Sequence, residues 1–586
     1  MRAVSLFLAI AAFGLAHADS VRRADALALG EKIPLWPAGR MPDAQEHQIA
    51  AADSERKAIG FDPQCNRMPY LQWFPAPADK VKTDVCMIIV SGGAYKCCYD
   101  GPAFRPIVRR LLAEGVHCVN LTYRTPRPKG LPIYQTAWED GQRAVRLVRS
   151  EAASRGFSPE KIGVVGCSAG SHLSLLLATS SKTPAYRPVD DLDKLPCHVN
   201  CAIPMCPAYV LSDGLEGKNA SGGEGAGVVM SSAFAFDSKT CPMCLFHGGE
   251  DPYSPLGSTM IYRRLRRMKI PAELHLYGKR GHGVVDVDTF ERAIEFLRQI
   301  EFLPLGKPIE QVWRFSPGDT MRTELESLWP DGKVPDADPA QTREPYLIWY
   351  IPREQKTKAV QIVFPGGGYN VCCINHEGAP IAHMLNREGM TAVVVGYRCP
   401  RPRRKPKHLS AWQDAQRAVR MVRAEAQGRG LDRDRIGVVG FSAGGHLALM
   451  LSTNTKTPAY EPVDDVDSVS CSVQWAFPIY PAYVLSDGAT RPNAKGGNED
   501  DCVVVPEFSF DDATPPMCFI HGDGDVWSAM NSVKVWERLR GMGIRCDLHT
   551  LAKRGHSFQV NASLGTGSYS FMDRLKEFLS ARGLDR

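Results

Sequence analysis

The 586-residue sequence lacks features that mark several protein classes. Its formal net charge is only +6, which gives no reason to expect a nucleic-acid partner. Beyond the N-terminus, no apolar run approaches the ~18 residues that a membrane-spanning helix needs, so we expect no membrane partner. Its cysteines also lack a second pair at metal-ligand spacing, and we therefore expect no metal site.

The eighteen cysteines do not form the pattern of a disulfide-stabilised small domain. Most lie inside apolar, strand-like runs, for example Cys86 in "VCMIIV" and Cys518 in "MCFI". We expect them to be buried as small hydrophobic side chains. Their pattern does not decide whether any of them form disulfides.

The first twenty residues resemble an export signal. Arg2 precedes an apolar run from Ala3 to Leu15, and Ala16-His17-Ala18 provides an A-x-A cleavage site. We therefore expect residues 1–18 to be removed and the mature protein to be secreted or periplasmic.

The rest of the chain is a tandem repeat. "KIGVVGCSAG" from Lys161 returns as "RIGVVGFSAG" from Arg435, and "PAYVLSDG" occurs at both Pro207 and Pro481. These repeats keep a constant offset of 274 residues, which is the size of a whole domain and far longer than a solenoid repeat. We expect a first domain over 19–302, a linker over 303–320 and a second domain over 321–586.

Each copy predicts an α/β fold with a mostly parallel sheet flanked by helices. Short Val- and Ile-rich runs such as "AVQIVF" and "TAVVVG" alternate with amphipathic stretches such as "AWQDAQRAVRMVRAEAQGRG". Continuous apolar strands are typical of parallel sheets that are covered on both faces. In such sheets the functional groups collect at the carboxyl ends of the strands, where these runs break into glycine-rich loops.

A Gly-x-Ser-x-Gly motif follows one strand in each copy and predicts a nucleophile. Ser168 and Ser442 stand between a buried strand and an amphipathic helix, the setting of a nucleophile elbow. The following helix directs its first amides at the site, so Ala169 and Ala443 are predicted to stabilise an oxyanion.

Each serine needs a base, and each base needs an acid that orients it. Each copy offers one strand-end acid and one later loop histidine in matching positions, and these are Asp251 with His282 and Asp525 with His556. Glu250 and Asp523 are alternative acids. We prefer Asp251 and Asp525 because they occupy equivalent positions in the two copies.

Glycine loops after an earlier strand predict the rest of each oxyanion hole. In the second copy the loop is "PGGGY", with Gly366 and Gly367 as the expected donors, and in the first it is "SGGAY", with Gly92 and Gly93. A simple tight turn is the alternative. Tyr95 and Tyr369, beside these loops, either bind the acyl group of a substrate or only pack.

Other repeated residues have structural interpretations. We expect His172 and His446 to be packed, and His247 and His521 to support the acid loops. Asp140 and Asp414 resemble charges on an exposed helix face, and "RPRRKPK" from Arg401 resembles a solvated surface loop.

On these motifs each copy resembles the α/β-hydrolase esterases of the acetyl xylan esterase and feruloyl esterase type. The stretches that carry the resemblance are "PGGGY", "VVGYRCP", "RIGVVGFSAGGHLA", "IHGDGD" and "RGHSF". It implies two tandem α/β-hydrolase domains, with the Ser, Asp and His residues above as catalytic triads. The first copy departs from the pattern at Ser91 and at Ala94, which replaces the third glycine.

The resemblance implies a serine esterase, without cofactor or metal, that removes acetyl or feruloyl groups from a polysaccharide such as xylan. One alternative is a single catalytic domain with a silent or carbohydrate-binding twin. The others are a general carboxylesterase, a lipase or a peptidase. The segments 214–237 and 488–511 differ between the copies and are expected to border the two sites, which would allow the sites to take different substrates. The sequence does not indicate the oligomeric state.

Overall fold

The computed structural model describes most of both repeats. The predicted signal peptide, 1–18, lies outside the described residues. The residues that the structure describes are 30–44, 68–77, 83–98, 105–128, 130–212, 228–304, 317–341, 344–486, 502–558 and 571–584.

Strands and helices alternate along each repeat. The strands of the first half are β1 (Lys32–Pro34), β2 (Tyr70–Phe74), β3 (Cys86–Val90), β4 (His117–Thr122), β5 (Ile162–Cys167), β6 (Cys201–Met205), β7 (Met243–Gly248) and β8 (Ala272–Tyr277). Those of the second half are β9 (Thr320–Ser327), β10 (Tyr346–Pro352), β11 (Val360–Phe364), β12 (Thr391–Gly396), β13 (Ile436–Phe441), β14 (Trp475–Ile479), β15 (Leu485–Ser486), β16 (Val503–Val504), β17 (Cys518–Gly522) and β18 (Asp547–Leu551). The helices are α1 (Arg105–Ala113), α2 (Gln135–Ser150), α3 (Ala152–Arg155), α4 (Ala169–Thr179), α5 (Leu256–Arg267), α6 (Val287–Gln299), α7 (Ala379–Arg387), α8 (Leu409–Glu425), α9 (Ala443–Thr453), α10 (Met530–Gly541) and α11 (Phe571–Ser580).

The two halves have the same sheet topology. In the first half the order is β1-β2-β4-β3-β5-β6-β7-β8, and the six strands from β4 to β8 are parallel. The second half has the order β9-β10-β12-β11-β13-β14-β17-β18, again with six parallel strands. The predicted α/β class, with a mostly parallel sheet in each of two tandem domains, is confirmed.

The two sheets join at their last strands into one 16-stranded sheet, which the sequence did not predict. Strand β8 pairs antiparallel with β18, so that Leu274 is opposite Thr550 and His275 is opposite His549. Because equivalent strands pair with each other, the halves are related by an approximate two-fold axis that passes near the two histidines.

Buried side chains cover both faces of this sheet. On one face a single apolar cluster runs through both halves and includes residues of α2, α4 and α5. On the other face each half has its own cluster, packed under α1 and α6 in the first and under α7 and α11 in the second. The strands are therefore apolar on both sides, which explains why they lack an alternating sequence pattern.

Every cysteine among the described residues is a free thiol, and most are buried, as the apolar context predicted. In this part of the chain no helix is long and apolar enough to cross a bilayer.

Asp140 and Asp414 contradict the prediction of exposed helix charges, since both are fully buried. Asp414 accepts hydrogen bonds from the indole nitrogen of Trp329 at 2.8 Å and from the backbone amide of Arg398 at 2.7 Å. The guanidinium of Arg398, also buried, donates to the same carboxylate at 3.0 Å. Asp140 binds its own tryptophan and arginine in the same way. The tryptophan hydrogen bonds fasten the "LWP" segment at the start of each repeat to the α2 or α8 helix.

We expect Asp414→Ala to lower the free energy of unfolding by about 3–5 kcal/mol, because it leaves the Arg398 guanidinium buried without its carboxylate. Urea unfolding of the full chain, followed by circular dichroism, measures this loss. The exposed Glu461→Ala is the control and should change the unfolding free energy by less than about 0.5 kcal/mol. A loss below about 1 kcal/mol for Asp414→Ala would show that Arg398 finds another partner.

Candidate active site

Each candidate nucleophile lies on a strained turn between a strand and a helix. Ser168 has φ 56° and ψ −120°, and Ser442 has φ 54° and ψ −115°. Glycine is required two residues after the serine, since a Cβ on Gly444 would lie 2.0 Å from the carbonyl oxygen of Phe364. The backbone holds each serine in a conformation that L-residues rarely adopt, and such strain is characteristic of functional turns.

In both halves the structure brings the predicted serine, histidine and acid together. In the first, His282 Nε2 lies 2.8 Å from Ser168 Oγ, and its Nδ1 lies 2.8 Å from Asp251 Oδ2. In the second, His556 Nε2 lies 2.7 Å from Ser442 Oγ. Its Nδ1 lies 2.8 Å from Asp525 Oδ2. Each histidine is thus placed to accept a proton from the serine while a carboxylate fixes its tautomer.

The alternative acids point elsewhere. Glu250 forms an ion pair with Arg545 at 2.9 Å, and Asp523 accepts a hydrogen bond from Tyr262 at 2.7 Å. Both partners belong to the opposite half of the chain. The geometry therefore favours Asp251 and Asp525 as the acids of the two sites.

Two buried histidines stand behind the acids, where support for the acid loop was predicted. His247 Nε2 lies 3.3 Å from Asp251 Oδ2, and His521 Nε2 lies 3.4 Å from Asp525 Oδ2. Burial opposes the ionisation of Asp251, but His247 and His282 outweigh it and hold the pKa of this carboxyl well below its usual range. The pKa of Asp525 is lowered in the same way. Both acids are therefore ionised at neutral pH, as an orienting carboxylate must be.

The glycine loops lie directly against the serines. A Cβ on Gly92 or on Gly366 would be 3.0 Å from the Cβ of Ser168 or Ser442. Gly93 and Gly367 have φ values of 127° and 126°, which only glycine adopts readily. The amides of this loop and of Ala169 and Ala443, the first residues of α4 and α9, therefore border each serine.

The prediction that Gly366 donates to an oxyanion is wrong in this structure. Its amide donates instead to Glu377 Oε2 at 2.7 Å, and Tyr480 donates to Oε1 of the same carboxylate at 2.9 Å. Burial raises the pKa of Glu377. Glu377 thus forms a brace between the glycine loop and Tyr480. The sequence analysis missed this brace because no repeated motif marks it. Ala103 and Cys206 occupy the positions of Glu377 and Tyr480 in the first repeat.

Tyr95 and Tyr369 pack rather than bind substrate. Each side chain is only 1% exposed, and each hydroxyl lies 2.8 Å from Nδ1 of a buried histidine, His172 or His446. This contradicts the prediction of substrate contact and confirms that the two histidines are packed. The tyrosines instead fix the end of the glycine loop, where both have positive φ values.

Aromatic side chains that the sequence analysis did not single out stand between these loops. Tyr209 stacks on Tyr95, and Tyr483 stacks on Tyr369. Tyr253 in the first half packs against Tyr209 with ring centroids 5.3 Å apart. Trp527 takes its place in the second half, 4.5 Å from Tyr483. The two sites thus differ in an aromatic residue that immediately follows the acid loop.

Four groups of His, Cys and acidic side chains in the described residues have ligand atoms within 4.8 Å of one another. Two of them lie at the approximate two-fold axis, one with Glu273 and one with Asp547. Glu273 already accepts from Arg292 at 3.0 Å, and Asp547 accepts from Arg582 at 3.0 Å. Because a guanidinium neutralises each carboxylate, an added cation would meet a like charge, and we interpret both groups as structural.

We expect Glu377→Ala to lower kcat of the second site by about 10-fold or more, since the glycine loop would lose the carboxylate that holds it against Ser442. Hydrolysis of p-nitrophenyl acetate in a Ser168→Ala background measures the second site alone. Glu377→Gln keeps an acceptor for the Gly366 amide and should restore most of the rate. Equal activity of the Ala variant and its parent would contradict a role for the brace.

The model of the family described as BD-FAE matches the chain twice, over residues 74–202 and 347–478. An acetylxylan esterase of Xylanibacter ruminicola is 26% identical over 221 residues, which are 36% of this chain and 43% of that protein. Endo-1,4-beta-xylanase B of Butyrivibrio fibrisolvens is 26% identical over 246 residues, 41% of this chain and 36% of that protein. The chain thus spans less than half the length of these two relatives.

Among solved structures, an acetyl ester-xyloside bifunctional hydrolase from Caldicellulosiruptor lactoaceticus is 27% identical, with a TM-score of 0.37. The match covers 44% of this chain and 97% of that one. A thermophilic esterase from Thermogutta terrifontis is 24% identical, with a TM-score of 0.35, and its match covers 46% of this chain and 96% of that one. The repeated sheet and the two family matches lead to one conclusion. The chain consists of two tandem α/β domains of the same topology, each with one match to the BD-FAE family model, and both domains resemble the acetyl xylan esterase and feruloyl esterase type.

Proposed function

We propose that the chain is an exported serine esterase with two active sites, one in each half. The observation that carries the proposal is the repeated relay of serine, histidine and carboxylate, with hydrogen-bond distances of 2.7–2.8 Å in both halves. A relay of this geometry activates a serine for attack on an ester carbonyl.

The mechanism uses side chains and backbone amides alone. His282 takes the proton of Ser168 as the hydroxyl attacks the ester carbonyl, and Asp251 stabilises the imidazolium that forms. Amides of the Gly92–Gly93 loop and of Ala169 stabilise the oxyanion. The imidazolium then protonates the leaving alcohol, and water attacks the acyl-enzyme with His282 as base. Ser442, Asp525 and His556 perform the same steps in the second half, with Gly367 and Ala443 as oxyanion donors.

We propose an acylated polysaccharide or oligosaccharide as the substrate, with acetyl as the first candidate group and feruloyl as the second. Two similar proteins support this choice by their names, an acetylxylan esterase and an endo-1,4-beta-xylanase. Export fits a polymeric substrate of this kind, and the N-terminal sequence has the form of a signal. Much of the segments 214–237 and 488–511 lies outside the described residues. Because their sequences differ between the copies, we propose that the two sites act on different substrates.

A catalytically silent first domain is the main alternative. Ala94 has φ 55° at the position where the second copy has Gly368, which strains the glycine loop of the first site. A fluorophosphonate probe distinguishes the two ideas, because it labels only an activated serine. We expect two labels per chain, and a single label on Ser442 would favour the silent domain.

The decisive experiment compares the wild type with Ser168→Ala, Ser442→Ala and the double variant. Acetate and ferulate release are measured from decorated xylan and oligosaccharides. We expect each single variant to lose one activity and the double variant to lose at least about 10³-fold in rate. If one substitution abolishes all release and the other none, one domain is no esterase on these substrates. If the wild type releases nothing, the substrate proposal fails.

A further inference from the structure

A basic segment borders the second candidate site. This basic rim consists of Arg401, Arg403, Arg404, Lys405 and Lys407. At one end Arg401 Nε donates to Asn370 Oδ1 at 3.0 Å, next to the glycine loop. At the other end Lys407 Nζ lies 4.1 Å from the ring centroid of Tyr483. The hydroxyl of Tyr483 in turn lies 3.4 Å from where a Cβ of Gly368 would be.

The first repeat carries fewer of these charges. The corresponding residues of the first repeat are "RPKGLPI". Lys129 keeps a cation at the position of Arg403, whereas Gly130, Leu131 and Ile133 replace Arg404, Lys405 and Lys407. The one arginine shared by position, Arg127, donates to the carbonyl of Ala94 at 3.0 Å and to the hydroxyl of Tyr209 at 2.8 Å. It therefore holds the glycine loop rather than facing solvent.

Arg404 occupies a position where the backbone favours glycine. Its φ is 58°, and Gly130 in the first copy has φ 74°. An arginine in the left-handed region is strained relative to glycine, because its Cβ crowds the backbone. Backbone geometry therefore does not explain the arginine, and its side chain is exposed.

Nearby acids neutralise only part of the basic rim. Lys405 pairs with Asp336 at 2.6 Å, and Glu507 is held by His446 at 2.9 Å. Asp338 accepts from the backbone amide of Arg403 at 3.0 Å. Within the described part of the chain, no ion pair engages the guanidinium of Arg403 or of Arg404, and both side chains are exposed. The backbone amide and the charge of Arg403 lower the pKa of Asp338, whose carboxylate partly offsets that charge, so Arg404 is the exposed cation on which the inference depends.

We propose that the second site binds acylated carbohydrate that carries carboxylate groups, such as a uronate-bearing oligosaccharide, through the basic rim. This inference rests on the esterase function proposed above and names a substrate class for one of the two sites. A guanidinium recognises a carboxylate through paired hydrogen bonds, and a basic surface also raises the rate of encounter with a polyanion. The first site binds acylated carbohydrate without carboxylate groups.

The test uses Ser168→Ala, in which only the second site can react, with and without Arg404→Gly. Substrates are acetylated xylo-oligosaccharides with and without a glucuronate substituent, together with p-nitrophenyl acetate. We expect Arg404→Gly to raise KM for the uronate-bearing substrate by about 3- to 10-fold and to weaken its salt dependence. The other two substrates should keep their KM, since the glycine fits the backbone.

The matched control is Gly130→Arg in a Ser442→Ala background, where a Cβ would meet no atom within 4 Å. It should lower KM for the uronate-bearing substrate at the first site. Equal KM for both oligosaccharides, unaffected by Arg404→Gly, would overturn the inference while leaving the esterase intact. If no ester is cleaved at all, calorimetry of the uronate-bearing oligosaccharide with the double serine variant decides, and unchanged affinity after Arg404→Gly overturns it.

A second, independent observation concerns the acid loops, each of which contacts an arginine of the opposite half. Arg266 on α5 crosses the domain junction and donates to the carbonyl of Asp523 at 2.6 Å, two residues before Asp525. In return Arg540 on α10 donates to the carbonyl of Gly249 at 3.0 Å, two residues before Asp251. The two contacts are equivalent under the approximate two-fold axis.

We infer that each half positions the acid of the other half's site, with Arg266 and Arg540 as positioning residues. The carboxyl of Asp523 accepts from both Tyr262 and Arg266, so the loop before Asp525 is tied to the first half at more than one atom. A loosened loop would move the carboxylate that orients His556 and would leave the ester-binding surfaces unchanged. The effect should therefore fall on kcat rather than on KM.

Arg266→Ala is assayed with p-nitrophenyl acetate in the Ser168→Ala and Ser442→Ala backgrounds. We expect kcat of the second site to fall by about 10-fold with little change in KM, and the first site to keep its rate. Arg540→Ala should lower kcat of the first site and leave the second site unchanged. Arg266→Lys should restore part of the kcat that Arg266→Ala loses. A loss shared by both sites, or no loss at either, would overturn the inference. Thermal unfolding of each variant separates a local change from a global loss of stability.

Discussion

The antiparallel pairing of β8 with β18 is the contact on which the arrangement of the chain depends. It converts two exposed sheet edges into one continuous sheet and buries polar groups from both halves around the axis. The His275 and His549 imidazoles face each other with Nδ1 atoms 3.2 Å apart, and burial lowers the pKa of both. Glu273 accepts from the amide of Ala552 at 3.0 Å, and Asp547 accepts from that of Gly278 at 3.0 Å. Separating the halves would expose or leave unpaired every one of these groups.

The same junction explains why the acid loops are well supported. The strands that precede Asp251 and Asp525 are β7 and β17, each next to the junction strand of its own half. Helices α5 and α10 pack close to the axis, where their arginines can cross. The serines, in contrast, follow β5 and β13 in the interior of each sheet, and their turns are held by neighbouring loops of the same half. The candidate nucleophile and the candidate acid thus depend on different parts of the molecule.

The α/β class, the repeat and the Ser, His and Asp side chains that meet could be predicted because each leaves a local signal. The glycines of the Gly-x-Ser-x-Gly motif predict a strained turn, and repetition at a fixed offset distinguishes Asp525 from Asp523. Repetition could not reveal Glu377, which has no counterpart in the first copy. Nor could it separate a buried Asp414 from an exposed one, since the helix pattern places it beside polar residues. The pairing of β8 with β18 involves two edges 274 residues apart and has no sequence signature.

The approximate two-fold axis makes the chain equivalent to a symmetric dimer whose subunits share one backbone. In a homodimer every substitution occurs twice, so a change that helps one site must be tolerated by the other. In this chain a substitution in one copy leaves the other copy unchanged. The residues at the axis are the exception, because each must keep its partner in the opposite half. Arg266 and Arg540 are alike and lie beside the junction, whereas Glu377 and Arg404 are unmatched and lie away from it. Covalent linkage of the halves would thus keep the two candidate sites at a fixed one-to-one ratio even where their residues differ.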